Sequence, residues 1–410
     1  MIGRLVMTLR DADWFDRSRA RAYRALLAVI VLGGAAAWVL FSRHGVDPTG
    51  KPLGTDFIAF WSAARLALSG TPDAAWDMAR IAAAERAAMP VDPGLTSFLY
   101  PPPFLLVCLP LGQLPYFAAL PLWLGLTGTA YFAAIRLWLP DHRGAILTIA
   151  AFPAVAANLG HGQNGFLTAA LLGAGLWLLD RRSWVAGLLL GALVIKPQIA
   201  PAVPILLIAG GHGRALLAAL ASAAALCLAA VLCFGTQVWT AFLEAAPLGR
   251  AILDEGLVEP EKMVSLFAAL RVLHASPIVA YAAQAAMVAI AAPAIACLAR
   301  TRGVPAGGQA ALAVSATLLM SPFLLDYDLT AAAIPLAWLF SEGLRRGFRP
   351  WEKSALALAY LLPLIARPIA LATGIPIAPL ILAALALAVA RAAFPDPAYA
   401  RPLRGAAAGS

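Results

Sequence analysis

Long apolar stretches alternate with short polar connections along most of the chain, and this pattern predicts a membrane protein. A helix needs about 20 apolar residues to cross a hydrocarbon core about 30 Å thick. Several stretches are shorter and contain proline, as at Pro153, Pro197 and Pro201, and broken helices are tolerated at membrane depth where protein buries them or where they line a cavity. We therefore predict an all-α polytopic fold of about 12 spans, near residues 24–42, 103–139, 144–158, 164–180, 184–196, 198–210, 214–234, 277–299, 307–323, 328–342, 353–372 and 376–393.

Two longer connections, residues 43–102 and 235–276, are predicted to lie on the outer face as extramembrane segments of one integral-membrane domain, residues 1–410. Both have the pattern of amphipathic helices resting at the membrane interface. In the first, the apolar residues repeat at helical spacing: Phe57, Phe60, Trp61, Ala64 and Leu68. Interfacial helices of this kind can form the wall of a groove that opens to lipid.

The distribution of basic residues indicates the orientation of the spans. Lys and Arg accumulate in short cytoplasmic loops, and about two thirds of them fall inside if the N-terminus is cytoplasmic and the spans alternate. Segment 103–139 must then cross an odd number of times, which keeps Arg181 and Arg182 inside. The net charge of +9 therefore indicates topology instead of nucleic-acid binding.

Composition and the missing motifs exclude several classes of protein. With 62% hydrophobic and 12% charged residues, the chain is too apolar for a soluble domain. Its cysteines lie in apolar segments without metal-ligand spacing, so neither a disulfide nor a zinc site is predicted: Cys108, Cys227, Cys233 and Cys297. The chain has no P-loop, no dinucleotide-binding fingerprint, and no motif of the metalloproteases or serine hydrolases.

Asp56 stands at the predicted start of the first amphipathic helix, in Thr55-Asp56-Phe57. One interpretation is a helix N-cap, because Asp side chains accept backbone N–H groups at that position. The other is a general base. The two roles are compatible, because a capped carboxylate that faces a groove stays ionised.

Short motifs around this residue and downstream resemble glycosyltransferase family 87, a group of bacterial polytopic enzymes in the GT-C superfamily. Thr55-Asp56-Phe57, with Trp61 and Ala63-Ala64 after it, is similar to the opening motif of that family. Four further motifs agree in order: Tyr100-Pro101-Pro102-Pro103 before Leu109-Pro110-Leu111; Gly162-Gln163-Asn164; Ala186-Gly187 and Gly191 before Lys196-Pro197; and Ser321-Pro322 before Asp326-Tyr327-Asp328. The resemblance spans Asp56 to Asp328.

The resemblance implies a GT-C-like enzyme that takes a sugar, with mannose as the first expectation, from a polyprenyl-phosphate donor. It passes the sugar to a lipid or glycan acceptor on the periplasmic face of the bacterial inner membrane. Asp56 matches the catalytic base and would act in an inverting displacement. Lys196 and His161 are candidate ligands of the donor phosphate, although a lysine snorkelling from a helix end and an ordinary loop histidine are the alternatives.

Further polar and aromatic residues are candidate substrate ligands. The amides of Gln163 and Asn164 could bind sugar hydroxyls, or could simply belong to a glycine-rich turn. Tyr100 marks where the first outer segment returns to the bilayer. Trp61 could stack on a sugar ring, while interfacial anchoring is the alternative.

Asp326 and Asp328 match the D-x-D pattern of nucleotide-sugar transferases, but nucleotide sugars are not expected on the outer face. Because charge inside a membrane is costly, we expect one of three roles. The two carboxylates bind the acceptor, pair with Lys196 or another cation, or ligate a metal through oxygen. We predict no metal site and no cofactor.

Two other functional classes compete with the enzyme. A transporter or lipid flippase also carries polar residues within the membrane, but no two-fold internal repeat is detectable and the conspicuous polar residues fall on one face. A structural partner of a cell-envelope complex would tolerate the loss of Asp56, and an enzyme would not.

Overall fold

The computed structural model describes residues 2–89, 97–139 and 144–394 and confirms the all-α prediction, with no β-strand among these residues. Residues 90–96, within the predicted first outer segment, lie outside the described ranges. The α-helices are α1 (Ile2–Asp11), α2 (Arg17–Leu40), α3 (Phe57–Leu68), α4 (Met78–Ala88), α5 (Pro102–Cys108), α6 (Tyr116–Arg136), α7 (Ala145–Ala150), α8 (Pro153–His161), α9 (Gly165–Leu178), α10 (Ser183–Gly191), α11 (Ala202–Ala209), α12 (Gly213–Phe234), α13 (Gln237–Glu244), α14 (Ala246–Asp254), α15 (Leu266–Val272), α16 (Pro277–Arg300), α17 (Ala306–Met320), α18 (Ala333–Arg346), α19 (Glu352–Thr373) and α20 (Ala378–Ala393).

Short 3-10 helices join several of the α-helices, as the proline-containing stretches predict. They are Pro72–Trp76, Leu111–Gln113, Ala192–Ile195, Pro197–Ile199, Pro260–Lys262 and Asp326–Ala332. Proline supplies no N–H and fixes its own φ, so it starts a new helix more readily than it continues one. The predicted spans near 184–196 and 198–210 are therefore each divided into a 3-10 and an α-helical part.

Among the described residues, five helices are long and apolar enough to cross a membrane: 18–40 within α2, α6, α12, α16 and α19. Shorter apolar helices lie between them, including α3, α9 and α17, and α20 follows the last of them. The chain is thus a multi-pass membrane protein. Within the predicted segment 103–139, only α6 reaches spanning length; α5 and the 3-10 turn before it are too short.

The largest buried cluster lies between α6, α8 to α11 and α16 to α20. The close approach of α10 and α12 depends on two glycines. A Cβ at Gly187 would lie 2.2 Å from the Ala215 carbonyl oxygen, and a Cβ at Gly191 would lie 2.2 Å from the Ala219 carbonyl oxygen. Small residues let helix backbones approach in membranes, where packing replaces the hydrophobic drive for association. This contact fixes the end of α10, which one 3-10 turn separates from Lys196.

Helix α3, expected at the interface, packs within a second, aromatic cluster. Phe57 lies on Tyr116, with ring centroids 5.5 Å apart, and Phe60 on Phe104, with centroids 4.9 Å apart. Ser62, which lies outside the apolar repeat of this helix, is also buried, because α3 has neighbours on more than one side: α4, α5 and the 3-10 turns at 72–76 and 111–113. The N-terminus of α3 is therefore held firmly by protein.

Residues 235–276, the predicted second outer segment, contain α13, α14 and α15 together with the 3-10 turn at 260–262. Helices α13 and α14 present amphipathic sequences, as predicted.

The N-terminal helix α1 was not predicted from the sequence. Its last turn is bound to the start of α19, where the Trp351 N–H donates to the Arg10 carbonyl oxygen over 2.7 Å.

Candidate functional site

Asp56 occupies the N-cap position of α3, but its carboxylate makes no capping hydrogen bond. The capping role predicted from the sequence is therefore wrong for the side chain. The Asp56 backbone N–H instead donates to the His161 carbonyl oxygen over 3.0 Å, which ties the start of α3 to the end of α8. The carboxylate is left free to face the turn that follows α8.

The turn after α8 can approach Asp56 because it contains glycine at position 162. Gly162 has a φ of +64°, a conformation that costs little only without a Cβ, and a Cβ there would lie 2.6 Å from the Cβ of Phe57. The Trp123 indole N–H donates to the Gly162 carbonyl oxygen over 3.0 Å. The sequence motif Gly162-Gln163-Asn164 thus places two amide side chains beside the N-terminus of α3.

Gln163 connects Asp56 to two tyrosines. Its Nε2 donates to Asp56 Oδ2 over 3.1 Å and contacts the Tyr327 hydroxyl oxygen at 3.3 Å. Its Oε1 accepts from the Tyr100 hydroxyl over 3.1 Å. Only 4% of Gln163 is exposed, so these bonds form in a largely water-free environment, where each is stronger than at a surface.

Lys196 lies at the break between the 3-10 helices 192–195 and 197–199 and is 2% exposed. Its Nζ donates to Asp328 Oδ1 over 2.5 Å and to Asn164 Oδ1 over 3.1 Å. Of the three roles expected for the D-x-D acids, pairing with Lys196 is the one that Asp328 has in the structure. A buried lysine needs such a partner, because an unpaired charge at this depth is strongly unfavourable.

His161 completes the contacts of Asp56. Its Nδ1 lies 3.5 Å from Asp56 Oδ1 and 3.0 Å from Thr55 Oγ1. Burial opposes ionisation of Asp56, but its contact with His161 and the hydrogen bond from Gln163 outweigh burial and lower the pKa of Asp56. Burial likewise opposes charging of His161, and Asp56 again outweighs it and raises the histidine pKa. The carboxylate is thus ionised at neutral pH.

Asp326 lies in the same 3-10 helix as Asp328 but makes different hydrogen bonds. Its Oδ1 accepts from the Tyr327 N–H over 2.8 Å, and burial raises its pKa even though the charge of His161 opposes this. The two acids of the D-x-D motif therefore have separate partners. Within the described ranges, no group of three or more His, Cys, Asp or Glu side chains is arranged to hold a metal ion.

The two aromatic candidates have different surroundings. Tyr100 is half-buried against Phe60 and Phe104, with its hydroxyl in the hydrogen-bond network of Gln163. Trp61 is outside that network: its indole N–H donates to the Leu114 carbonyl oxygen over 2.9 Å, and its ring packs on Tyr116.

Sequence reasoning missed two members of the site, Thr55 and Tyr327. Each is adjacent to a predicted residue within a motif, which was the available signal. The Tyr327 ring lies 5.2 Å from Lys196 Nζ and its hydroxyl reaches Gln163, so it joins the two halves of the network. A hydrophobic pattern alone assigns such a tyrosine to the core.

Comparison with known families decides the class of this site. The profile of glycosyltransferase family 87 matches residues 98–322, more than half of the chain. The chain belongs to glycosyltransferase family 87. No curated protein and no solved structure gives a significant match.

The family 87 match contains Tyr100, His161, Gln163, Asn164 and Lys196. Asp56 and the Asp326–Asp328 turn lie outside the matched range, and the fold brings both into contact with it. Gln163 reaches Asp56, and Lys196 reaches Asp328. The site is thus formed by residues from five separate parts of a family 87 glycosyltransferase.

Proposed function

We propose that this glycosyltransferase transfers a sugar from a polyprenyl-phosphate carrier to a hydroxyl of a lipid or glycan acceptor, with Asp56 as general base. Mannose is the first sugar to test. The reaction would take place on the periplasmic face of the bacterial inner membrane. The observation that carries the proposal is the Asp56 carboxylate: it is held by Gln163 and His161, free of any capping bond, ionised, and about a third exposed.

The chemistry is a single inverting displacement. The acceptor oxygen attacks the anomeric carbon and forms the new glycosidic bond as its proton passes to the Asp56 carboxylate. The bond from the anomeric carbon to the phosphate oxygen breaks, and the polyprenyl phosphate leaves with the electron pair. Such a base contributes about 10²- to 10⁴-fold to the rate, while the remainder comes from positioning and from stabilisation of the departing phosphate.

This displacement also constrains where His161 acts. In an inverting attack, nucleophile and leaving group lie on opposite sides of the anomeric carbon, and the base contacts the nucleophile. Because His161 lies 3.5 Å from Asp56, it belongs to the base side. We therefore propose that His161 modulates Asp56, in preference to the phosphate contact expected from the sequence.

The test is transfer of radiolabelled mannose from polyprenyl-phosphate-mannose by purified protein in lipid nanodiscs, with membrane-lipid extract as acceptor. We expect Asp56→Asn to lose at least about 100-fold in rate, the scale of general base catalysis. Asp47→Asn is the matched control, because Asp47 is a buried acid of the same outer segment that only holds its own turn through Thr49 and Lys51.

Equal rates for wild type and Asp56→Asn would remove Asp56 as the base. If mannose fails, the same assay with other polyprenyl-phosphate sugars identifies the donor. If the folded wild-type protein transfers sugar from none of these donors, the proposed donor class is contradicted.

A further inference from the structure

The side chain of Gln163 has no hydrogen-bonding capacity left for a substrate. A glutamine amide offers two N–H donors and one oxygen with two acceptor sites. The donors go to Asp56 Oδ2 and the Tyr327 hydroxyl, and the oxygen accepts from the Tyr100 hydroxyl and, over 2.8 Å, from the Asn164 N–H. A sugar hydroxyl could bind Gln163 only by displacing one of these buried partners.

Lys196 is also surrounded by buried partners. Two of its three N–H donors go to Asp328 and Asn164, and its ammonium faces the rings of Tyr327 and Tyr100 at 5.2 and 5.9 Å. Because Lys196 is 2% exposed, a donor phosphate could reach it only by displacing a buried neighbour, and replacing Asp328 would leave a buried carboxylate without its cation. Loss of one member of a buried ion pair is strongly unfavourable.

The two tyrosines link these residues into one support for the catalytic carboxylate. Tyr100 and Tyr327 each present a hydroxyl to Gln163 and a ring face to Lys196. Asn164 adds a second link, because its side chain accepts from Lys196 and its backbone N–H binds Gln163. The sequence of contacts therefore runs from Asp328 through Lys196 and the tyrosines to Gln163, and ends at Asp56.

We propose that Gln163 and Lys196 are positioning residues that act on the reaction through Asp56 and do not contact the sugar or the phosphate. Gln163 fixes the rotation of the carboxylate by holding Oδ2. The Lys196–Asp328 ion pair in turn fixes the tyrosines and the 162–164 turn that hold Gln163. This inference rests on the proposed role of Asp56 as base.

The first test is Gln163→Glu, which keeps the size of the side chain but places a second carboxyl about 3.1 Å from Asp56 Oδ2. Two carboxyls so close cannot both ionise easily, and the pair titrates together. In the pH profile of kcat/KM, we expect the acid limb to shift to higher pH by about one unit or more. We also expect kcat near pH 6 to fall, with KM for donor and acceptor nearly unchanged. A substrate-binding Gln163 would instead raise KM for the donor or the acceptor, which would overturn the proposal.

Gln284→Glu is the matched control for this variant. Gln284 is also 4% exposed and is bonded to backbone, accepting from the Phe267 N–H over 3.1 Å and donating to the Leu319 carbonyl oxygen over 2.8 Å. It makes no contact with Asp56. We expect a comparable loss of stability and an acid limb that stays where it is in the wild type; a limb that moves in both variants would contradict the positioning role.

The second test compares Lys196→Met, Asp328→Asn and the double variant. If the pair only supports Asp56, each single change lowers kcat with donor KM nearly unchanged, and the double variant recovers stability because no unpaired buried charge remains. A phosphate-binding Lys196 predicts a rise of about 10-fold or more in donor KM for Lys196→Met, equivalent to one lost charge-assisted bond, and none for Asp328→Asn. That asymmetry would overturn the proposal. If the single variants fold poorly, a rise of about 10-fold or more in the donor KM of the double variant would overturn it equally.

Failure of this inference and failure of the proposed function give different results. If Asp56→Asn retains activity, the base assignment fails whatever Gln163 does. If Asp56→Asn is inactive while Gln163→Glu or Lys196→Met changes KM alone, only the positioning role fails. Glu352→Gln, which breaks the remote buried ion pair with Arg346, controls for a general effect of disrupting buried charge.

Discussion

The Nδ1 atom of His161 lies 3.5 Å from Oδ1 of Asp56, and the same histidine accepts the Asp56 backbone N–H through its carbonyl oxygen. One residue therefore holds both the main chain and the side chain of the proposed base. Burial alone would favour the protonated form of Asp56, so the low pKa of this carboxyl depends on its neighbours. The pH dependence of the reaction is the direct measure of this relationship.

We expect His161→Gln to move the acid limb of kcat/KM to higher pH. The substitution removes the cation that lowers the pKa of Asp56, while burial, which raises it, stays. The measurement is a pH–rate profile of wild type and variant in lipid. A variant with an unmoved limb and an increased donor KM would support the alternative, in which His161 binds the phosphate.

The same pair predicts a pH-dependent difference in stability. Asp56, whose pKa is lowered in the fold, stabilises the protein above the ordinary Asp pKa of 3.8 and loses this effect as pH falls. His161, whose pKa is raised, stabilises it below the ordinary His value of 6.5 and loses this effect as pH rises through its folded pKa. The pair should therefore stabilise most between these two values.

Thermal unfolding of wild type and His161→Gln in lipid, at pH 5.5 and pH 9, checks this window. We expect the difference in Tm between the two proteins to be larger at pH 5.5. A difference that is equal at both pH values would indicate that His161 acts through packing or neutral hydrogen bonds instead of charge.

Gly187 should tolerate no side chain, although alanine ordinarily stabilises a helix. A Cβ there would lie 2.2 Å from the Ala215 carbonyl oxygen, and α10 and α12 would have to separate. We expect Gly187→Ala to cost about 1–3 kcal/mol, the usual cost of overpacking, and to reduce activity through the displaced Lys196. Gly125→Ala in α6 is the control: nothing lies within 4 Å of its Cβ position, so thermal stability should stay the same or rise.

The helices were predictable because their apolar stretches match the physical thickness of a membrane, as α12 and α16 illustrate. The short amphipathic helix α3 was also predictable, but its burial was not. Periodicity identifies one apolar face, whereas Ser62 on the opposite face is covered by helices distant in sequence. Helix α1 is short and polar enough that the hydrophobic pattern gave no sign of it.

The site residues were predictable as motifs and much less so as partners. Lys196 and Asp328 are 132 positions apart, yet the cost of a buried charge was sufficient reason to include their pairing among three expected roles. Nothing comparable indicated the four bonds of Gln163, because an amide in a glycine-rich turn is equally at home in water. Uncharged hydrogen-bond networks depend on exact distances, which the sequence does not contain.

The side of the membrane on which Asp56 lies is the remaining test of the proposed donor. With a cytoplasmic N-terminus, α2 carries the chain outward, and Asp56 and Ser69 at the two ends of α3 are periplasmic, while Arg182 is cytoplasmic. The test uses a background in which the four native cysteines are replaced by alanine, with Ser69→Cys or Arg182→Cys added, because both side chains are exposed. We expect an impermeant maleimide to label Ser69→Cys in intact cells and Arg182→Cys only after the membrane is permeabilised. The reverse pattern would place Asp56 in the cytoplasm, where nucleotide-activated sugars are the available donors, and would contradict a polyprenyl-phosphate sugar used on the outer face.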